Sequence, residues 1–368
     1  MRAAVQIGYG DPEANLRIEE VPTPKPGPGE VLVRVSGATL NRKDLFALSN
    51  LQGPGIRSRP PLPHVNGTDA WGTIAALGTG VSNWCAGDRV AVYPGLFCGD
   101  CEWCMRGETS ACESYGVLGE QCWGAHAEFV VVPARNLERI PERMTRDALT
   151  CAGGSWLTAW RALVTVARVR PGEALLVVGA SGGVGTAAIR IGCLAGCRVI
   201  AVVGAQWKRT RALAIGADAV IGPDEPVVAS VQALTSGRGV DAAIDCIGGD
   251  GWRDTINALA PFGRMTVCGA TAGDAPAISI REIYQRHRRI LGAPLGSRAE
   301  FRDLLHCLAS GRLEPVLHTT VGLDGLHAGL RLLARREVFG KIAVSVDAPV
   351  PAGHSGEPAV THAALGEP

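Results

Sequence analysis

Four cysteines crowd into the run "FCGDCEWCMRGETSAC" as Cys98, Cys101, Cys104 and Cys112, in the pattern C-x2-C-x2-C-x7-C. Four soft thiolates held this close together are what a tetrahedral structural zinc ion requires. With every position filled by cysteine, no coordination site is left for a substrate or an activated water. The run is polar and loop-like, so it offers these side chains no apolar core in which to sit as neutral thiols. One structural Zn2+ is expected here, stapling a lobe.

A second run able to do chemistry is the turn Gly179-Ala-Ser-Gly-Gly-Val-Gly185, which follows the apolar "ALLVV" and leads into "TAAIRIGCLAG". Glycines let the backbone turn tightly and approach a pyrophosphate, which then rests on the free amides and positive dipole end of the following helix. The strand before and the helix after make Gly179, Ser181, Gly182, Gly183, Val184 and Gly185 a dinucleotide site in preference to a ligand-free glycine turn. The end of the next strand, "VIAVVGAQWKRT", bears on which dinucleotide binds. An NAD site wants an acid there for the ribose hydroxyls, and none is present. Gly204 leaves room, and Lys208 and Arg209 add positive charge, which together suit a 2′-phosphate. NADPH is therefore favoured over NADH, the competing reading being that Lys208 and Arg209 are solvated residues on the first turn of a helix.

The surrounding chain must position these two runs. Its 368 residues suffice for two domains, and 46% hydrophobic with 19% charged residues is a globular composition. The 36 basic side chains nearly cancel the 35 acidic ones, which leaves no electrostatic footprint for nucleic acid. No window reaches the length of a membrane-spanning apolar run, and the N-terminus has no signal-peptide h-region, so a cytoplasmic protein is expected. Twelve cysteines in such a chain then point to metal binding or core packing and not to disulfides. The first hundred residues read as β-rich, as in "EVLVRVSGATL" and "DRVAVYP". From about Trp156, helix-length stretches alternate with "ALLVVGA", "RVIAVVG", "DAVIG", "VDAAIDCIG" and "GRMTVCGA". That alternation predicts βαβ units around a parallel sheet. After about Gly296 a helical segment, "RAEFRDLLHCLASG", precedes what reads as a return to β-rich structure, and a disordered tail is expected over 347–368.

Taken in order and at their separations, "GDRVAVYPGLFCGDCEWC", "GAHAEFVVVP", "LTAWRAL", "GASGGVG", "DCIGG", "GRMTVCGAT" and "FGKIAV" resemble the medium-chain dehydrogenase/reductase superfamily. The resemblance covers nearly the whole chain to about Val346. It implies an α/β protein with a GroES-like β-barrel catalytic domain from residues 1–152 and 296–346. A Rossmann doubly wound parallel-sheet cofactor domain, 153–295, is inserted between these segments, with the active-site cleft at the junction, and homodimers are common. Zinc alcohol dehydrogenases of this kind place a cysteine where this chain has Asn41, Gly-His-Glu where it has Gly67-Thr68-Asp69, and a last cysteine where it has Gly154. Cys151 lies three residues upstream of that last position and would need a local shift to substitute. One carboxylate with Asn41 and Thr68 is a poor zinc set, so no catalytic zinc is expected.

What remains is similar to the zinc-free quinone oxidoreductase and enoyl reductase branch, which sends hydride from NADPH to the β-carbon of an alkene conjugated to a carbonyl. Asn41 and Asp44 fall in its N-x-x-D setting. The resemblance makes Asn41 a donor to a carbonyl or ribose, or else a turn residue, and Asp44 a residue that fixes its loop more than it transfers protons. His126 is either a stacking pocket wall or a proton donor to the enolate. Trp123, Trp156 and Trp160 could face a ring-shaped substrate, although core packing is the expected role for at least two, and His64 is an outside candidate. Thr158 matches the threonine four residues after the last zinc cysteine of those dehydrogenases and is assigned with the cofactor site, and Cys246, Ile247, Gly248, Gly269 and Ala270 match loops that border the nicotinamide. The expected protein is an NADPH-dependent reductase of enones, enals or quinones. A zinc-free enzyme acting on a carbonyl or imine, or a non-catalytic dinucleotide-binding protein, stands as the alternative.

Overall fold

The computed structural model describes residues 1–53 and 61–347. The apolar runs after Trp156 build one six-stranded parallel sheet, ordered Ala219–Ile221, Arg198–Val202, Ala174–Val178, Val240–Asp245, Leu259–Val267 and Arg289–Gly292. Leu175, Leu176 and Val177 lose all solvent contact in the central strand. Both faces are covered, which is why these strands read as continuous apolar runs and not as alternations. The order reverses between Ala174–Val178 and Val240–Asp245, and in such sheets the crevice for a ligand opens there, beyond the carboxyl ends of the strands. The edge strand Arg289–Gly292 escapes a sequence reading because "RILG" is too short to show a period.

The second sheet has seven strands, in the order Leu137–Arg139, Arg89–Val92, Ala70–Leu77, Glu30–Leu40, Lys341–Ser345 and Leu317–Gly322, with Phe129–Pro133 also paired to Glu30–Leu40. Ile342 lies opposite Leu40, so residues from the two ends of the chain complete one GroES-like β-domain. One expectation is corrected here. The segment after Gly322 is not all β, because Leu326–Ala334 is a helix that buries Leu326 and Leu330. Apolar residues four apart give that stretch the period of a helix despite the strands on either side. At the expected disordered tail, Asp347 is ion-paired with Arg146, and 348–368 lie outside the described residues.

Between the two sheets runs the helix Gly154–Trp160, which continues as a π-helical stretch Arg161–Ala167 and stops at Arg168 with φ 51°. Its first turn carries Ser155 to the cleft and its middle carries Arg161 to the cysteine lobe. Trp156 is fully buried in the core beside Leu157, and Trp160 packs on the same core. Trp123 donates from Nε1 to Pro63 O over 3.3 Å. Among the described residues no helix is long and apolar enough to cross a membrane.

Candidate active site

The cysteine lobe gathers four thiols that could hold a metal ion. The Sγ atoms of Cys98, Cys101, Cys104 and Cys112 lie within 4.8 Å of one another, and among the described residues no other group of three or more His, Cys, Asp or Glu side chains gathers in this way. Cys98 Sγ is 3.9 Å from Cys104 Sγ and 3.5 Å from Cys112 Sγ. A tetrahedral zinc with Zn–S bonds of about 2.3 Å needs sulfurs about 3.8 Å apart, so the donor set fits in both chemistry and size. Backbone N–H groups of Cys98 and Cys101 point at Cys112 and Cys98 sulfurs over 3.3 and 3.4 Å, as is apt for thiolates. The N–H groups of Glu113 and Cys104 bring the Cys101 thiol down to about 6, while burial pushes the neighbouring Cys104 thiol up to about 12. The lobe is tied to the domain junction rather than to the cleft. Arg161 spans Glu108 of the lobe (2.8 Å) and Glu300 (2.7 Å), while Tyr93 Oη meets Thr109 Oγ1 (3.1 Å) and donates to Gly296 O (2.9 Å).

The glycine turn sits at the topological switch of the parallel sheet and opens the helix Gly183–Leu194. Gly179 has φ 76°, and a Cβ there would come 2.8 Å from Ile247 and 2.9 Å from Cys246 Sγ. Only glycine therefore serves where the turn meets the loop after Val240–Asp245. That loop is organised by Asp245, whose Oδ1 accepts from the N–H groups of Ile247 (2.8 Å) and Gly248 (3.0 Å) and whose Oδ2 accepts from Thr255 Oγ1 (2.9 Å). Gly269 abuts the same loop, where a Cβ would lie 2.8 Å from Cys246 O, and Ala270 packs beside Gly248. Burial pushes the Cys246 thiol up to about 12, which makes it inert packing.

Ser181 links this turn to other parts of the chain. Its carbonyl accepts from Gly340 N (2.9 Å) and its Oγ accepts from Lys208 Nζ (3.2 Å), which also donates to Arg336 O (2.7 Å). Lys208 is buried and not solvated. Burial, then the guanidinium groups of Arg336 and Arg42, hold its ammonium below the usual range. Arg209 turns the other way, into an ion pair with Glu225, and the space beside Gly204 is open. Val184 packs against the central core, and Thr158 donates to Gly154 O over 2.6 Å.

In the cleft, the four positions that the resemblance singles out come together. A Cβ on Gly154 would lie 3.3 Å from Asp69 Oδ1, 3.8 Å from Thr68 Cγ2 and 3.9 Å from Asn41 Oδ1. Asp69 Oδ1 accepts from Gly154 N, and its Oδ2 accepts from Thr39 Oγ1 and, at 2.9 Å, from Asn41 Nδ2. At the entry to the last strand, Lys341 brings a buried ammonium to the same spot. Its Nζ lies 2.7 Å from Asn41 Oδ1, 3.1 Å from Leu40 O, 3.3 Å from Ser155 Oγ and 3.5 Å from Asp69 Oδ2. Burial alone would push the Asp69 carboxyl up. Lys341 with the hydrogen bonds from Thr39, Asn41 and Gly154 outweighs it and holds Asp69 below the usual carboxylate range. Cys151 is fully buried, with its thiol pushed up to about 12 chiefly by that burial. One carboxylate already paired with an ammonium, a carboxamide, a threonine and a glycine do not fit a zinc ion.

The expected catalytic candidates are committed to internal hydrogen bonds. Asn41 Nδ2 donates to Asp69 and, over 3.3 Å, to Thr39 Oγ1, and its Oδ1 receives Lys341 and Ser155. Asp44 caps the helix Arg42–Leu48 by accepting from Asn41 N over 2.7 Å, and its burial raises its carboxyl above the usual range. This is the loop-fixing role. His126 is buried with Nε2 3.2 Å from Thr39 O, and a Cβ on Gly67 would come 2.7 Å from its ring. His64 Nε2 lies 3.0 Å from Gly119 O.

Comparison with known proteins follows the same architecture. The family described as "Alcohol dehydrogenase GroES-like domain" matches residues 27–142, and "Zinc-binding dehydrogenase" matches residues 183–310. An NAD-dependent alcohol dehydrogenase of Sulfolobus acidocaldarius is 30% identical over 357 residues, 94% of this chain and 100% of its own. The chain belongs to the medium-chain dehydrogenase/reductase superfamily. It is thus similar both to that dehydrogenase and to an acryloyl-coenzyme A reductase of Sulfurisphaera tokodaii, 28% identical over 348 residues, 94% of this chain and 99% of the other. The crystal structure of an NAD-dependent alcohol dehydrogenase superposes with a TM-score of 0.86 at 38% identity, over 94% of this chain and 100% of that one. As a member of this superfamily, the chain is an oxidoreductase.

Several residues of the site escape the sequence reading. Lys341, Ser155, Thr39, Arg42 and Arg336 come from three separate stretches of the chain, and although "FGKIAV" is read as a family segment, no role for its lysine follows from the sequence. Lys341 leaves a trace of its own, as a lysine at the start of the strand "KIAVS", whose first four residues are all buried.

Proposed function

We propose that this chain is an NADPH-dependent reductase that delivers hydride to the β-carbon of an alkene conjugated to a carbonyl, with no metal at the reacting atoms. The observation that carries this reading is the convergence of Asn41, Thr68, Asp69 and Gly154 on one spot without a zinc donor set. Without a Lewis acid an alcohol has no ready route to its alkoxide, whereas conjugate reduction needs none. When bound, the nicotinamide supplies a hydride to the β-carbon, the alkene electrons move onto the carbonyl oxygen as an enolate, and a proton from solvent adds at the α-carbon.

The chain's own residues bind and orient. The glycine turn and the free amides of the helix Gly183–Leu194 suit the pyrophosphate. Lys208, with Arg42 and Arg336 close by, forms a cationic group beside Ser181 that a phosphate would relieve, and no acid ends the strand Arg198–Val202. Both features support NADPH, although the dehydrogenase relatives are named as NAD-dependent. The relative named acryloyl-coenzyme A reductase, whose substrate name denotes an α,β-unsaturated thioester, supports alkene reduction. The reading includes a homodimer, supported by the exposed Phe262, Ile280 and Tyr284 next to the edge strand Arg289–Gly292, and a reducing cytoplasm, which suits twelve free thiols.

The test is NADPH oxidation against a panel of enones, enals, enoyl thioesters, quinones, ketones and imines, with product analysis. Saturation of the C=C with the carbonyl intact is expected. Turnover confined to alcohols and NAD+ would overturn the reading, and silence across the panel with NADPH bound would favour a non-catalytic role.

A further inference from the structure

The helix that follows the parallel sheet, Arg298–Ala309, buries Phe301, Leu304, Leu305 and Leu308 and carries a basic stripe on another face: Arg298, Arg302 and His306, four residues apart. This stripe forms one wall of a cavity of about 470 Å³ against the strand Leu137–Arg139 of the GroES-like domain. That volume lies within the range of about 300–1,000 Å³ typical of small-molecule sites. None of the residues assigned above to the cleft, the glycine turn or the cysteine loop lines it.

The charge of the cavity is unbalanced. Among the described residues that line it, Glu138 is the one carboxylate, and two guanidinium groups share it. Arg298 Nε lies 2.8 Å from Oε1, while Arg302 donates from Nη2 to Oε1 over 3.0 Å and from Nε to Oε2 over 3.1 Å. A third guanidinium, that of Arg139, lies 4.7 Å over the Trp84 ring and reaches Asp88 only at 3.9 Å. The wall therefore presents more positive charge than it neutralises.

The geometry of Arg302 shows what the excess can hold. A guanidinium carries five N–H donors in a planar fork, and Glu138 takes the edge made by Nε and Nη2. The opposite edge, Nη1 with Nη2, is left for a second planar acceptor, and the side chain is 52% exposed. Beside this edge the floor is apolar, built from Trp84, Leu137, Ile140 and Pro141. Trp84 is buried, and its Nε1–H has no acceptor among the described residues.

We propose that this cavity is a second ligand site, for an organic acid that joins a carboxylate to an aromatic ring. The carboxylate takes the free edge of Arg302 with Arg139 as the second cation, and the ring rests on the apolar floor. The site is independent of the reaction assigned to the cleft, so a silent substrate panel leaves it standing.

The experiment titrates benzoate by calorimetry into the full-length protein saturated with its nicotinamide cofactor, so that the glycine turn is already filled. Benzoate should bind with a dissociation constant of about 1 mM or tighter. Benzamide keeps the ring without the charge, and acetate keeps the charge without the ring; each should bind at least about tenfold more weakly, as should inorganic phosphate. Arg302→Gln should weaken benzoate by about tenfold or more, and it should fold, because an ion pair this exposed contributes little stability. A wild type that ignores benzoate overturns the proposal. So does an Arg302→Gln protein that binds benzoate as the wild type does, since the acid then sits elsewhere, and so does phosphate that matches benzoate, since the apolar floor then plays no part. If Arg302→Gln does not fold, the exposed Arg139→Glu decides: lost benzoate binding supports the site, and unchanged binding refutes it.

Discussion

The cysteine lobe and the cleft are the two places where the family resemblance leads one to look for metal, and they solve opposite problems. In the lobe four thiols from one short loop converge within 4.8 Å, with backbone N–H groups turned toward their sulfurs. In the cleft Asn41, Thr68, Asp69 and Gly154 converge just as closely, but the charge at their centre is Lys341. Position in the fold therefore does not specify a metal site. The donor set does, and in the cleft one carboxylate, already beside a buried ammonium, is joined by no thiol and no imidazole.

The contrast is sharpest at the lobe. Cys104→Ser should abolish zinc binding there and forfeit on the order of 10 kcal/mol of metal-binding energy, loosening the Glu108–Arg161–Glu300 junction. Metal content and thermal melting check this, and a variant that keeps its zinc and its midpoint would remove the structural role. In the cleft, Asp69→Asn or Lys341→Met leaves one buried charge unpaired and should cost about 3–5 kcal/mol in denaturant unfolding. A loss below about 1 kcal/mol would mean that the pair is solvated, as surface pairs are.

Acidity separates the two cleft variants from the wild type further. The folded-state Asp69 carboxyl is held below its unfolded value of about 3.9, so its contribution is present in full above that pH and is lost as pH falls through the lower folded value. In Lys341→Met the largest of the effects that offset burial is gone and only the hydrogen bonds from Thr39, Asn41 and Gly154 remain, so the folded carboxyl rises, and once it passes the unfolded value protonation becomes stabilising. The stability gap between wild type and Lys341→Met should then narrow as pH falls from about 7 to about 4. A gap that is constant or widens over that range would show that Lys341 does not act through Asp69.

Smaller effects probe the cofactor side and the histidine. Lys208→Ala should weaken NADPH binding about tenfold, the loss of one charge-assisted contact, and leave NADH nearly unchanged. Equal losses for both would place Lys208 at the pyrophosphate and withdraw the support for NADPH. His126→Phe should change kcat by no more than about threefold, because Nε2 already faces Thr39 O; a fall of about 100-fold would restore it as the proton donor.

Legibility in the sequence followed the distance between partners along the chain. The parallel sheet was readable because "ALLVV", "RVIAV" and "VDAAID" are each a complete local signal, and the glycine turn sits directly after the first of them. The helix Leu326–Ala334 is hard to read because its nine residues lie between two strand-like runs. Asn41 is legible as a site position, whereas its partners are not: its amide donates to Asp69 and its oxygen accepts from Lys341, both far from it in sequence.

By itself the sequence determined the cysteine lobe and the glycine turn, because three of the thiols and the glycines recur every three residues and the fourth thiol follows eight residues on, spans that local backbone geometry closes. Only the tertiary structure decided the character of the cleft. Lys341 reaches Asn41 across 300 residues of sequence, when the final strand pairs with Glu30–Leu40 and brings its first side chain under the cofactor helix. A charge placed by strand pairing leaves no spacing to read, because the register that puts it there is set by the burial of the apolar face of that strand.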